Sequence, residues 1–344
     1  MEDKSGDYKY IQREIPFYNI NILYVRSGLE DIAAYNLISM GITNCLRELI
    51  KEVHVVDPSD DVLGVALGIC PDFVLVLLGD RFSLKKVQKI REAGIKIAVW
   101  LTDDPYYVDE TIKYAPYYDF IFTNELSTIS VYQTFGCKQV YYLPMAANNE
   151  VFFPKVVKES YRTDICFIAA GWENRISFFD DISDFLLNKE IKIIGPLWNN
   201  LSNYSALEHK IYAHGIQMIE TAKYLCGAKI VINLHRSHND QTLFSKNTRE
   251  IKAHSVNPRT FEISACGSFQ LTDVRSDLKN FYTPGYDIET FASKKEFMRK
   301  IQYYLQHEEK RNEIASRGFK QTIQKHTYHN RLSKLIECIL SNEA

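Results

Sequence analysis

Residues 257–273, which read NPRTFEISACGSFQLTD, predict a short helix that leads directly into a buried strand. Pro258 suits the first helical position, where its missing N–H costs nothing, and Asn257 before it is a typical helix cap. Gly267 predicts the end of the helix, because glycine readily adopts the conformation that closes one. The strand follows at 268–272. A helix that turns at once into an apolar strand is typical of an α/β protein.

Two charged residues fall at the start of this predicted helix. Arg259 and Glu262 are three residues apart, so they share a face of its first turns. A helix N-terminus attracts anions, and a carboxylate there accepts hydrogen bonds from hydroxyls. A nucleotide sugar carries both groups, a pyrophosphate and a ribose diol. The alternative is an ordinary surface Arg–Glu pair, which contributes little free energy.

Length and composition limit the class of protein. The 344 residues suffice for two domains, and a hydrophobic fraction of 46% lets each bury a core. The formal net charge of −2 argues against gathering nucleic acid or an acidic membrane. Residues 1–13 lack the apolar core of a secretory signal, and no apolar run approaches the ~20 residues of a membrane span. The seven cysteines form no CxxC motif, as expected of reduced thiols. We therefore expect a cytoplasmic protein without membrane insertion; its oligomeric state is left open.

Strand and helix patterns alternate along the chain, and the strands are continuous apolar runs, which favours parallel sheets covered on both faces. The predicted strands are 20–25, 52–56, 73–78, 95–101, 120–123, 140–143, 164–169, 191–194, 229–234, 268–272 and 288–291. Besides the helix before Gly267, the predicted helices are 32–50, 62–69, 84–92, 126–135, 175–187, 219–226, 294–306, 308–318 and 328–340. The remaining segments are an arm at 1–18, an interdomain linker at 144–154 and a long polar span at 237–257, interpreted as a mobile lid.

Polar clusters follow several predicted strands, at the edge where parallel sheets bind ligands. Asp103 and Asp104 follow one strand. They are either a turn with a helix cap before Pro105 or carboxylates that orient or deprotonate an acceptor hydroxyl.

The second half carries further candidates. Gly171 opens a predicted helix whose N–H groups could meet a phosphate, with Arg175 one turn further on. A tight turn explains Gly171 equally well, and Gly195 has the same ambiguity. His235 is expected to line the site. Neither His235 with His238 nor His326 with His329 has a carboxylate or cysteine at the spacing of a metal site, so we predict no metal there. His326 and His329 are expected to cap or pack the terminal helix.

Several spaced motifs resemble the CgeB-like spore-maturation glycosyltransferases. The first is Val231-Ile232-Asn233-Leu234-His235-Arg236, and the second is Asn257-x-Arg259-x-Phe261-Glu262-Ile263-x-Ala265-Cys266-Gly267. Leu271-Thr272-Asp273 and the tail motif His326-Thr327-Tyr328 fit as well, as does Trp100 before Asp103-Asp104-Pro105. The resemblance covers nearly the whole chain.

This resemblance implies a GT-B fold, in which two Rossmann-like doubly wound domains face each other across a cleft and a C-terminal helix crosses back. The implied domains are an acceptor-binding domain at 1–147, a nucleotide-sugar-binding domain at 148–325 and the returning helix at 326–344. In related transferases the acidic residue at Glu262 binds the ribose hydroxyls, and Arg259 and Arg175 suit the diphosphate. Gly171, Gly195, His235 and Asn257, which the residue pattern singles out, complete the predicted donor site. One departure is that many relatives carry a second glutamate two turns earlier, where this chain has His254-Ser255.

The sequence thus predicts a metal-independent glycosyltransferase without a further cofactor. Its donor is a nucleotide-diphosphate sugar, with a UDP-sugar favoured, and its acceptor is a hydroxyl of a glycan or another molecule. A retaining outcome is slightly favoured. Alternatives are an inactive nucleotide-sugar-binding protein of surface-layer assembly, or a nucleotide-sugar epimerase or hydrolase of the same fold. A transferase acting on modified DNA is opposed by the charge balance.

Overall fold

The computed structural model describes residues 15–241 and 245–341. Most of the predicted arm at 1–18 and residues 242–244 of the predicted lid therefore lie outside the described residues. The described chain forms two compact units, each built around a six-stranded parallel sheet.

The bounds of the secondary-structure elements follow in chain order. The strands are β1 (Tyr18–Val25), β2 (Ile50–Val56), β3 (Phe73–Leu77), β4 (Lys96–Leu101), β5 (Phe120–Thr123), β6 (Gln139–Tyr142), β7 (Thr163–Ile168), β8 (Ile191–Ile194), β9 (Ile211–Tyr212), β10 (Ala228–Asn233), β11 (Gln270–Asp273) and β12 (Glu289–Phe291). The α-helices are α1 (Ala33–Leu49), α2 (Val62–Ile69), α3 (Leu84–Glu92), α4 (Val108–Tyr114), α5 (Thr128–Thr134), α6 (Glu173–Asp181), α7 (Ser183–Leu187), α8 (Tyr204–Leu207), α9 (Met218–Gly227), α10 (Pro258–Ala265), α11 (Lys294–Gln306), α12 (Glu308–Lys325) and α13 (Tyr328–Leu340).

The first unit contains residues 15–145, 245–255 and 328–341. Its strands run in the order β2-β1-β3-β4-β5-β6, and every pair is parallel. Strand β3 is buried along its whole length, because helices cover both faces of the sheet. The last helix, α13, packs on α1, where His329 contacts Glu48 at 2.6 Å and Cys45 at 3.4 Å.

The stretch 245–255 is fastened to this first unit by hydrogen bonds. Thr248 donates its N–H and its hydroxyl to one carboxylate oxygen of Asp109, at 2.6 and 2.8 Å. The buried Glu125 accepts the N–H groups of His254 and Ser255 at 3.0–3.1 Å. Residues 245–255 of the predicted lid thus have fixed partners on the unit of the first sheet, whereas residues 237–241 belong to the second unit.

The second unit contains residues 146–241 and 256–327. Its strands run in the order β12-β11-β10-β7-β8-β9, again all parallel. The predicted helix at 175–187 is interrupted at Ile182, and β9 was not predicted. Predicting a helix end at Gly318 was wrong, since α12 continues to Lys325. A Cβ at Gly318 would lie 2.4 Å from the Asp287 carbonyl oxygen, so this glycine permits close packing within the helix.

The stretch at 257–273 folds largely as the sequence predicts. Asn257 caps α10, accepting the N–H of Thr260 at 3.1 Å, and Pro258 takes the first position. Gly267 ends the turn with φ +65°. The strand that follows begins at Gln270, two residues later than predicted, and enters the core of the second unit.

Candidate functional site

The second sheet reverses its strand order between β7 and β10. From β7 the chain builds β8 and β9 on one side, and from β10 it builds β11 and β12 on the other. In open parallel sheets, ligands bind outside the carboxyl ends of the strands at such a reversal. The first sheet has its own reversal between β1 and β3. The segments after β7 and β10 are therefore where a ligand of the second unit is expected to bind.

Arg175 spans this reversal from within α6. Its side chain is buried, with 7% of its area exposed. Nε donates to the carbonyl oxygen of Leu234 at 2.8 Å, and Nη1 donates to that of Ala170 at 3.0 Å. These two carbonyls follow β10 and β7, so Arg175 ties together the loops on either side of the reversal. At least two of its donors thus serve the protein itself.

The start of helix α6 already receives a carboxylate. The N–H of Glu173 donates to the buried Asp240 at 3.2 Å. Asp240 also lies 3.5 Å from Arg236, whose guanidinium stacks on the ring of Trp172 at 4.3 Å. The N–H of Gly171 donates to the Pro196 carbonyl at 2.9 Å. The N–H groups of Gly171 and Glu173, which were expected to meet a phosphate, thus already donate to acceptors within the protein.

Gly195 is required by backbone packing. Its φ is +142°, and a Cβ there would lie 2.3 Å from the Ala169 carbonyl oxygen. Its own N–H donates to the Tyr212 carbonyl. Only glycine fits where the loops after β7 and β8 touch, so Gly195 shapes the edge of the sheet whether or not it contacts a ligand.

A buried amide network holds α10 at the end of β10. Asn233, the last residue of β10, exchanges hydrogen bonds with Asn257 at 2.9 and 3.1 Å. It also donates to Thr260 at 3.0 Å and to Gln270 at 2.9 Å. Because the side chain of Asn257 is engaged with Asn233 and Thr260, its main role in this structure is to position the helix.

Arg259 and Glu262 lie on the first turns of α10 and form an ion pair. Arg259 Nη1 lies 2.7 Å from Glu262 Oε2, and the side chains are 21% and 11% exposed. Burial raises the pKa of Glu262, and the Arg259 guanidinium opposes that rise. The pair therefore presents a partly desolvated cation and carboxylate at the helix N-terminus, as the sequence suggested.

His235 and Asp273 form a dyad beside this helix. Asp273 Oδ1 lies 2.5 Å from His235 Nδ1 and accepts the backbone N–H of His235 at 2.9 Å. Burial lowers the pKa of His235, and Asp273 acts against this. Burial would raise the pKa of Asp273, but His235 and Arg275 together outweigh it and hold that pKa low. Asp273 was not among the predicted site residues. Its position at the end of β11, next to the strand that leads to His235, is the signal that could have revealed it.

In the first unit, Asp104 lies inside a cluster of hydroxyls. Its carboxylate accepts from Thr123 at 2.7 Å, from Tyr132 at 2.7 Å and from Thr128 at 3.3 Å. Only 2% of the residue is exposed. Burial raises the pKa of Asp104 to about 6, although these hydrogen bonds act in the opposite direction. Such a carboxylate organises β5 and α5 and has little surface for a substrate.

Asp103 is half-buried and faces a different partner. The hydroxyl of Tyr35, in α1, donates to Asp103 Oδ2 at 2.7 Å. Tyr35 was not predicted, because α1 is distant in sequence. Of the two predicted carboxylates, Asp103 is the one that retains exposed surface.

In the remaining histidine pair, His326 has a packing role, whereas His329 contacts Glu48 and Cys45. His326 is buried against the rings of Phe261, Phe281 and Tyr282, with centroids 5.2–5.5 Å apart. Among residues 15–241 and 245–341, no group of three or more His, Cys, Asp or Glu side chains is arranged to hold a metal ion. Within those same ranges, no helix has the length and apolar content to cross a membrane.

The chain belongs to the family described as "Glycosyl transferase-like", whose model matches residues 162–337. It is also similar to the spore protein CgeB of Bacillus subtilis (strain 168). The two are 28% identical over 320 residues, which cover 92% of this chain and 98% of CgeB. The predicted resemblance to CgeB is thereby confirmed.

Solved structures show the same architecture. An α-glucosyltransferase in complex with UDP and a 13-mer DNA superposes with a TM-score of 0.66 and 12% identity, covering 94% of this chain and all of that one. HepE of Anabaena, in complex with UDP and glucose, gives 0.61 and 10%, with 94% and 100% coverage. At such identities the likeness concerns the fold, which is GT-B with two Rossmann-like sheets, as predicted.

Proposed function

We propose that this protein transfers a sugar from a nucleotide-diphosphate sugar, with a UDP-sugar favoured, to a hydroxyl acceptor without a metal ion. One observation carries the proposal: Arg259 and Glu262 pair at 2.7 Å on the first turns of α10, beside the carboxyl end of β10. This end adjoins the strand-order reversal. Family membership supports the transfer reaction.

Each member of the pair suits one part of the donor. As the bond between the anomeric carbon and the diphosphate breaks, negative charge develops on the leaving oxygen. Arg259 and the positive end of the α10 dipole stabilise that charge. Glu262, as a carboxylate, accepts from the ribose hydroxyls. In the first unit, Asp103 binds the acceptor hydroxyl, since Asp104 is enclosed.

Binding is tested by isothermal titration of UDP-glucose and UDP into the wild-type protein and Glu262→Gln. We expect Glu262→Gln to weaken both ligands about tenfold, because a neutral amide accepts less strongly from the ribose diol. Glu159→Gln is the matched control, since Glu159 pairs with Arg162 at the same i,i+3 spacing but is 87% exposed. Equal affinities for Glu262→Gln and wild type would remove this role.

Transfer is tested by following UDP release with and without an acceptor panel, in buffer containing a chelator. Activity that persists in chelator supports the metal-free reaction. Activity abolished by chelator and restored by a divalent ion contradicts it.

A nucleotide-sugar-binding protein without turnover is the second candidate. The observation that favours it is the engagement of Arg175 and of the α6 N-terminus with protein groups, which leaves fewer donors for a departing diphosphate. Tight UDP-glucose binding without hydrolysis or transfer across a wide acceptor panel would favour this candidate.

A further inference from the structure

The His235–Asp273 dyad has one polar atom without an assigned role. The His235 side chain is 3% exposed, and its Nε2 has no hydrogen-bond partner among the residues that the structure describes. A buried polar atom left unsatisfied destabilises the folded state, so its presence requires an explanation. Nothing in the fold requires a histidine here to satisfy Asp273, which also accepts the backbone N–H of His235.

Asp273 decides which ring nitrogen carries the proton. A carboxylate only accepts, so the contact of 2.5 Å requires a proton on Nδ1. The pKa of His235 is lowered, because burial, aided by the Arg275 and Arg175 guanidiniums, outweighs the opposing effect of Asp273, so the second proton of an imidazolium is disfavoured. A neutral ring with its proton on Nδ1 has a bare lone pair at Nε2. Nε2 is therefore an acceptor and matches a group that donates a hydrogen bond.

The dyad also lies at the carboxyl edge of the second sheet, where a ligand is expected. His235 follows β10 and Asp273 ends β11, while α10 connects these two strands. Asn174, on the first turn of α6, donates to the His235 carbonyl at 2.9 Å. The histidine is thus surrounded by the elements that hold Arg175 and the N-terminus of α10.

We propose that Asp273 is a positioning residue that fixes His235 as an acceptor, and that Nε2 binds a hydroxyl of the donor nucleotide sugar. This rests on the proposed function, and it gives His235 a role distinct from that of Arg259. A phosphate oxygen is an acceptor at neutral pH and does not pair with a bare lone pair, whereas a ribose or sugar hydroxyl does. Because Nε2 has less than 1 Å² of exposed surface, the proposal requires that the side chains covering it shift when the donor binds.

The tautomer is tested first, by nitrogen-15 NMR of the histidine-labelled protein without ligand. The His235 signals are assigned by their loss in His235→Asn. We expect a proton on Nδ1 and none on Nε2. In Asp273→Asn the amide can donate to Nδ1, so the proton should move to Nε2. A protonated Nε2 in the wild-type protein would overturn the proposal.

Binding is tested with UDP-glucose, UDP and inorganic pyrophosphate as separate probes. His235→Asn retains an amide N–H that can reach Asp273 but removes the Nε2 acceptor. We expect this variant and Asp273→Asn to weaken UDP-glucose binding about tenfold, with pyrophosphate binding unchanged. If UDP is weakened equally, the hydroxyl belongs to the ribose; if UDP is unaffected, it belongs to the transferred sugar. Either result supports the proposal.

The control is Glu289→Gln, which alters a buried carboxylate of the same sheet that binds Tyr304 and Lys300. It should lower the melting temperature without changing affinity for any probe. Equal weakening of all three probes in the His235 and Asp273 variants, or no weakening at all, would overturn the proposal, as would an ordered water that still occupies Nε2 in the UDP-glucose complex. A wild-type protein that binds none of the probes would instead refute the proposed function.

Discussion

The carboxyl edges of the two sheets differ in whether particular polar side chains already have hydrogen-bond partners within the fold. In the first sheet, Asp104 accepts hydrogen bonds from three hydroxyls and Glu125 accepts backbone N–H groups. In the second sheet, His235 Nε2 has no partner among the described residues, and Arg259 forms an ion pair with the largely buried Glu262. A polar residue after a parallel strand is therefore only a candidate for binding. Whether its hydrogen bonds are already used within the fold separates a structural role from a ligand-binding role.

The largest expected effect is at the second edge. Arg259→Ala should raise the activation barrier by about 3 kcal/mol and so lower kcat/KM by about two orders of magnitude, because a hydrogen-bond donor to the developing charge is lost. Steady-state transfer from UDP-glucose measures this. Arg162→Ala is the control, since Arg162 forms an i,i+3 pair with Glu159 but is 45% exposed. A large fall in melting temperature with normal turnover would show that Arg259 has a structural role, like Asp104 in the first sheet.

At the first edge, Asp104 should make the free energy of unfolding depend on pH. Folding raises the pKa of Asp104 from 3.8 to about 6, so the folded protein binds its proton more tightly than the unfolded chain. The stabilising contribution is complete below pH 3.8 and is lost as pH rises through about 6, which amounts to about 3 kcal/mol. Urea unfolding across this window should lose that slope in Asp104→Asn and keep most of it in Asp103→Asn, because burial raises the pKa of Asp104 more than the Asp103 charge does. The same slope in both variants would contradict the account of Asp104.

Gly195 tests whether the second edge also contains purely structural residues. Gly195→Ala should destabilise the second unit by about 2 kcal/mol or more, because the new Cβ would collide with the Ala169 carbonyl at an unsuitable φ. Thermal unfolding measures the loss. Gly215→Ala should be nearly neutral, since a Cβ there meets nothing within 4 Å. Equal stability of the two variants would show that the contact at Gly195 is not close.

The smallest effect concerns the half-buried carboxylate of the first edge. Asp103→Asn should raise the KM of the acceptor about tenfold while leaving UDP-glucose affinity unchanged, because a neutral amide binds a hydroxyl less strongly. Titration of the acceptor at saturating donor separates the two constants. If the acceptor KM is unchanged and only the Tyr35 contact is lost, Asp103 has a structural role, as Asp104 does.

Local sequence signals predicted much of the fold. Apolar runs between turn residues marked most strands, and Asn257, Pro258 and Gly267 marked both ends of α10. Short elements were not predicted, since β9 has two residues and α8 has four, too few for a periodic pattern to stand out. Gly318 misled because a glycine that permits close packing resembles one that ends a helix.

The site was less predictable because its meaning depends on partners distant in sequence. Nothing near Asp104 in the chain shows that Thr123, Thr128 and Tyr132 surround it. The link from His235 to Asp273 crosses 38 residues and joins two strand ends. Local pattern places residues on an edge of the sheet, whereas tertiary hydrogen bonding decides which of them remain available.

A crystal structure of the protein with UDP would test directly whether Arg259 and Glu262 bind the nucleotide. We expect the diphosphate to lie within hydrogen-bond distance, about 3 Å, of the Arg259 guanidinium, and the ribose hydroxyls at the same distance from the Glu262 carboxylate. UDP bound with both side chains still paired only to each other and remote from the nucleotide would contradict this expectation.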